Sequence, residues 1–129
     1  MRSKTKTIPA HSLVGVIYED PVVRKKLVSL LGRSALDPEV FDSGEDLLAK
    51  LDKLSPDCLI VGLELPDQSG LELMKKMHKR GLKIPTIFLS EKGNIPTAVA
   101  AIRHGAADFI QLPWVDRQLL NKVEKLLGR

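Results

Sequence analysis

The groups in this chain that could do chemistry gather at the ends of apolar runs. Glu19 and Asp20 follow the run Leu13–Tyr18, Glu64 comes shortly after Cys58–Val61, and Ser90 closes Thr86–Leu89. Clustered carboxylates suit a hard divalent cation, and a positioned carboxylate can act as a nucleophile. Gly62, where the third run ends, offers no side chain at all. Glu64 lies two residues beyond it and could face the same pocket, although an exposed loop glutamate is the simpler reading. His11, His78 and His104 share no spacing like that of a metal site; His78 is expected on a helix face and His104 at a helix C-terminus, where the dipole favours it. The single cysteine, Cys58, excludes a disulfide framework and a cysteine-based zinc site. It falls inside an apolar run and is expected to be a buried thiol.

The elements that must position these groups follow from the pattern. Leu13–Tyr18 is predicted as a strand. Asp20-Pro21 then opens a helix, because proline is tolerated in the first turn. Val23, Leu27, Leu30 and Leu31 give that helix its stripe, and Gly32 is expected to stop it. Val40-Phe41 reads as a short strand. Ser43 is predicted to cap a second helix, with Asp46 three residues on, carrying Leu47, Leu48, Leu51 and Leu54 until Ser55-Pro56 breaks it. Cys58–Val61 is a third strand, followed by turn chemistry from Pro66 to Gly70. A third helix shows Leu71, Met74, Met77 and His78 on one face and ends at Gly81. Thr86–Leu89 is a strand, Pro96–Ile102 a small-residue helix, Asp108–Ile110 a strand, and Val115–Leu127 the last helix. Such alternation implies a parallel sheet covered on both faces, and right-handed crossovers leave few strand orders. One of them, 2-1-3-4-5, is the flavodoxin-like α/β order, a (βα)5 three-layer sandwich. In it Tyr18, Glu19, Gly62, Ser90 and Leu112 all fall at the carboxyl ends of strands, where such sheets hold ligands.

Composition narrows the function classes. A chain of 129 residues suits one domain. Residues 1–12 are expected to be a flexible tail, and 13–129 the folded unit. Hydrophobic residues make up 43% and aromatics 4%, so the core is aliphatic. No apolar run approaches the ~20 residues of a membrane span, and the N-terminus lacks a signal-peptide core, so the expected compartment is the cytoplasm. The net charge of +4 comes partly from Arg2, Lys4 and Lys6 and otherwise from helical faces such as Lys75, Lys76, Lys79 and Arg80. With no interleaved aromatics and no recognition helix, direct nucleic-acid contact by this domain is not expected.

Three segments carry a resemblance. Leu65-Pro66, followed by Ser69-Gly70-Leu71-Glu72-Leu73, resembles the phosphoacceptor loop of two-component response-regulator receiver domains. Ile84-Pro-Thr-Ile-Phe-Leu-Ser90 is similar to the strand ending in that family's switch hydroxyl. His104-Gly-Ala-Ala-Asp-Phe-Ile-Gln-Leu-Pro113 is similar to its Gly-Ala-x-Asp-Phe/Tyr-hydrophobic-x-Lys-Pro signature, closest to the branch that precedes a DNA-binding output domain. The pattern covers Leu13 to Leu127.

The resemblance implies a site and also departs from it. In the family an aspartate attacks a phosphohistidine, magnesium held by an acidic pair neutralises the moving group, and a lysine pairs with its oxygens. The nucleophile position here is Gly62 and the lysine position is Leu112. Aligned on Pro21 and Arg24, the acidic pair is Tyr18 and Glu19; a one-residue shift would make it Glu19 and Asp20. A lost donor of this kind typically costs about 2.7–4 kcal/mol of transition-state energy. The resemblance places Ser90 and Phe109 at the switch positions, makes Asp67 and Asp108 variable or structural, and implies a cis bond at Leu112-Pro113. The expectation is a non-enzymatic signalling module independent of aspartyl phosphate, with no metal site and weak or absent magnesium binding. It would act through a protein partner or homodimer on the Pro96–Leu127 face, where Ala98, Ala100 and Ala101 would admit close helix approach. It could be the N-terminal regulatory domain of a transcriptional regulator. The alternatives are a receiver phosphorylated on Glu64 or Asp20, and a small-molecule sensor.

Overall fold

The computed structural model describes residues 12–91 and 95–128. Strand and helix alternate as β1 (Leu13–Ile17), α1 (Pro21–Arg33), β2 (Asp37–Val40), α2 (Gly44–Lys50), β3 (Cys58–Gly62), α3 (Gly70–Lys79), β4 (Thr86–Ser90), α4 (Ile95–Arg103), β5 (Asp108–Gln111) and α5 (Asp116–Leu126). Every strand pairing is parallel, and the order across the sheet is β2-β1-β3-β4-β5. This is the flavodoxin-like 2-1-3-4-5 arrangement expected from the alternation.

The central strand is apolar throughout because both of its faces are covered. Successive side chains point to opposite faces. Leu59 and Val61 therefore join Ile17 and Phe88 in one core, with Leu47 and Leu48 of α2 and Leu73, Met74 and Met77 of α3. Cys58 and Ile60 join Val14, Val16 and Ile87 in the other, beneath Leu27, Leu30 and Leu31 of α1 and Leu119 and Val123 of α5. No helix among the described residues is long and apolar enough to cross a membrane.

Several element ends differ from expectation. Gly32 does not stop α1, which runs through Arg33. The chain reverses instead at Ala35, with φ 61°, and the Leu31 carbonyl accepts from the N–H groups of Ser34 and Leu36. The second strand lies at 37–40, although Phe41 N–H still donates to the Val16 carbonyl at 2.9 Å. Helix α2 ends at Lys50, so Leu51 and Leu54 pack on the core from the segment after it. Ser43 caps α2 by accepting from Asp46 N–H, while the Asp46 carboxylate accepts from Asp42 N–H rather than from Ser43. On α3 the buried face is Leu73, Met74 and Met77; Leu71 is half-buried and His78 exposed. Val115 is exposed at the start of α5. Ala98 and Ala101 are fully buried, so of the three alanines only Ala100, half-buried, is left to meet a partner. The expected tail lies outside the described residues except for Ser12, whose carbonyl accepts from Asp37 N–H at the sheet edge.

Candidate functional site

The carboxyl ends of β1, β3 and β4 converge on a cavity of about 250 Å³, lined by Tyr18, Glu19, Asp20, Leu63, Glu64, Leu89 and Glu91. Each strand delivers its residues by a defined local device. The Tyr18 carbonyl accepts from Arg24 Nη1 at 3.0 Å, tying the end of β1 to the first turn of α1. Asp20 Oδ1 accepts from Val22 N–H at 2.8 Å and caps α1, so this carboxylate is already engaged with a helix N-terminus. Glu64, in the loop after β3, is exposed and pairs with Ser69 in an isolated bridge.

Gly62 lies at the tip of β3, fully enclosed. Its backbone lies outside the left-handed region, so an L side chain would suit its dihedrals. Space is what crowds one: a Cβ there would stand 2.9 Å from Cδ1 and 3.2 Å from Cε1 of the Tyr18 ring, which would have to shift. Burial pushes the Tyr18 phenol above its ordinary pKa, reinforced by the charges of Glu91, Asp20 and Glu19. At neutral pH the hydroxyl therefore keeps its proton beside several carboxylates.

The loop that leads to α3 is held closely. Gly70 N–H donates to the Leu63 carbonyl at 2.8 Å and Leu65 N–H to the Gln68 carbonyl at 2.9 Å. A Cβ at Gly70 would overlap the Gly62 carbonyl oxygen and stand 2.6 Å from Phe88 Cε1, so only glycine fits. Ser69 and Glu72 form a reciprocal capping box at the start of α3. Asp67 reaches across to α2, its carboxylate accepting from Gly44 N–H at 3.1 Å and Glu45 N–H at 3.0 Å.

The remaining candidates lie around this crevice. Ser90 is buried, and its Oγ donates to the Glu91 carbonyl at 2.9 Å. Phe109 is half-buried and packs on the core beneath α2 and α3. Asp108 pairs with Lys122 at 2.6 Å. Leu112 N–H donates to the Ser90 carbonyl, and the Leu112-Pro113 bond is cis, as the resemblance implied. The Leu112 side chain does not reach the small cavity. It lines a separate groove of about 1210 Å³ between α1 and the segment after β5, with Pro21, Val22, Lys25 and Trp114.

The structure thus brings Tyr18, Glu19, Asp20 and Glu64 together, sets Gly62 beneath the Tyr18 ring, and leaves Phe109 and Leu112 outside. Glu91 is not among the residues singled out from the sequence; its place directly after a strand end was the available signal. Among the described residues no three His, Cys, Asp or Glu side chains converge to hold a metal ion. His11 lies outside the described residues. Cys58 is fully buried, and burial pushes its thiol up to about 12.

Comparison with known proteins places this architecture. Residues 14–124 match the response regulator receiver domain family. The chain is 34% identical over 116 residues to the response regulator protein TodT of Pseudomonas putida, covering 90% of this chain and 51% of that protein. It is 34% identical over 124 residues to the transcriptional regulatory protein FixJ of Azorhizobium caulinodans, covering 96% of this chain and 57% of that one. It thus spans about half the length of these relatives. Among solved structures, full-length FixJ from B. japonicum superposes with a TM-score of 0.86 at 29% identity, covering 91% of this chain and 58% of that one. A response regulator receiver protein from Pseudoalteromonas atlantica superposes with a TM-score of 0.81 at 30% identity, covering 90% and 97%. With its sheet order and residues 14–124 matched, the chain belongs to the response regulator receiver domains of two-component signalling.

Proposed function

We propose that this receiver domain signals without forming an acyl phosphate, by contact with another protein or a second copy of itself. The observation that carries the reading is Gly62: the tip of the central strand, where the family places its nucleophile, has no side chain, and the Tyr18 ring stands in the space one would occupy. Magnesium does not fit the residues present. It demands near-octahedral oxygen ligation, whereas Asp20 Oδ1 caps α1, Tyr18 is aromatic, position 62 supplies no oxygen beyond its backbone, and among the described residues Glu19, Glu64 and Glu91 do not converge as a set of three. Leu112, at the position of the family lysine, faces a different groove.

The contact surface in this reading is Pro96–Leu127, formed by α4, β5 and α5. Val99 and Ile102, a turn apart on α4, are 43% and 41% exposed and give it an apolar patch. By analogy with relatives named as transcriptional regulators, whose length the chain half covers, the domain would be the cytoplasmic regulatory part of such a protein. Incubation with acetyl phosphate and magnesium, followed by intact mass, tests the chemistry. No gain is expected; addition of one phosphoryl group would overturn the reading and point to Glu64, which lines the crevice. Sedimentation of the chain and of Val99→Glu with Ile102→Glu tests the surface, the double variant losing self-association or partner binding. A sensor that holds a small molecule in the crevice is less well supported, since 250 Å³ falls below the roughly 300–1,000 Å³ of ordinary ligand pockets.

A further inference from the structure

Gly62 poses a question that its backbone does not answer. Glycine inside a strand is unfavourable unless a left-handed dihedral or a close neighbour requires it. The dihedral requirement is absent, because Gly62, unlike Gly81 and Gly105, does not have a positive φ. The close neighbour is Tyr18, whose ring carbons stand 2.9 and 3.2 Å from where a Cβ would be. The Tyr18 carbonyl accepts from Arg24 Nη1, which ties the backbone at the end of β1, while the ring is placed by its packing. Its body packs toward the core beneath α1 and α5 and is half-buried.

We propose that Tyr18 is a built-in plug of the crevice: its ring takes the place of the side chain missing at position 62, and the two positions are mechanically coupled. The device is an intramolecular occupant that keeps the carboxyl end of the sheet in one arrangement. Two consequences follow. A side chain introduced at position 62 alone meets the ring, which must shift to admit it. The sign of a substitution at 62 is also set by what stands at 18.

That sign is the test. In an ordinary strand conformation Gly→Ala stabilises by restricting the unfolded chain, and a clash reverses the effect. Thermal unfolding of the full chain is measured for Gly62→Ala, Tyr18→Ala and the double variant. Gly62→Ala is expected to lower Tm by about 3–6 °C with Tyr18 present and to raise it slightly in the Tyr18→Ala background. Tyr18→Phe, which keeps the ring, should preserve the penalty. An equal effect of Gly62→Ala in both backgrounds would overturn the proposal. Should Tyr18→Ala fail to fold, the unaltered chain still decides: Tyr18 is the only tyrosine, and proton–proton cross-relaxation between its ring and the Gly62 α-protons is expected at short range. Its absence would equally overturn the plug. These readouts concern packing, so they can fail while the acetyl phosphate result stands, and the reverse.

Discussion

Two crowded glycines stand at the same end of the sheet, and they are crowded for different reasons. Gly70, at the start of α3, is hemmed in by the Gly62 carbonyl oxygen and by the Phe88 ring deep in the core. Gly62 meets chiefly one half-buried side chain, Tyr18. Around Gly70, cap and loop hydrogen bonds join Ser69 to Glu72, Leu63 to Gly70 and Asp67 to the N-terminus of α2. Around Gly62, the carboxylates of Glu19, Glu64 and Glu91 face solvent. The first region is fixed by backbone and deep core atoms of this fold. The second depends on a single neighbour and can change without dismantling the sheet. In the reading proposed above, that difference lets a chain keep the architecture of its family while its crevice takes up another role.

Substitutions should separate the two regions by magnitude. Gly70→Ala forces backbone apart at the junction of β3 and α3 and is expected to cost about 3 kcal/mol or more, measured by chemical denaturation. A cost below that of Gly62→Ala would erase the distinction between a glycine fixed by backbone and one fixed by a side chain. Asp67→Ala leaves the N–H groups of Gly44 and Glu45 without their side-chain acceptor and should cost about 1 kcal/mol. On the crevice side, Glu64→Gln touches only an exposed carboxylate and should change stability by less than about 0.5 kcal/mol. A larger loss would show that Glu64 is held by the crevice after all.

How much of this was readable beforehand divides along the same line. The central strands were, because β1, β3 and β4 are buried on both faces and their apolar runs end where the sheet ends; the edge strand β2, expected at Val40-Phe41, lies at 37–40. So was the loop at Pro66–Gly70, whose residue types are demanded by backbone geometry. Helix ends were harder. Gly32 is tolerated inside α1 because the chain reversed instead at Ala35, a residue that seldom takes positive φ. Choosing between Leu71 and Leu73 for the buried face of α3 turned on a rotation that a Leu-x-Leu pattern leaves open. The crevice was readable only as a set of positions. That the Tyr18 ring fills the space above Gly62, that Glu91 closes the cavity and that Leu112 faces away toward α1 are facts of side-chain direction, which spacing does not encode.

The smallest effect at neutral pH comes from two groups on the same side of the sheet, in the core beneath α1 and α5. Burial raises the pKa of the Tyr18 phenol, and it raises the Cys58 thiol from about 9 to about 12. In both cases the folded pKa exceeds the unfolded one, so the folded state holds more protons above the unfolded pKa and stability falls as pH rises. At pH 7 both groups are protonated in either state, and neither contributes a slope. From about pH 9 upward Tm should decline, the Cys58 part extending toward pH 12 and the Tyr18 part beginning near the ordinary tyrosine range. Cys58→Ala should flatten the earlier part of the decline, and Tyr18→Phe only the later part. Because the chain has one tyrosine, its tyrosinate absorbance gives the second midpoint directly. A Tyr18 midpoint at or below the ordinary value would mean that the ring stands in water, away from Gly62. The contrast between a fold-fixed glycine and a neighbour-fixed one would then lose its neighbour.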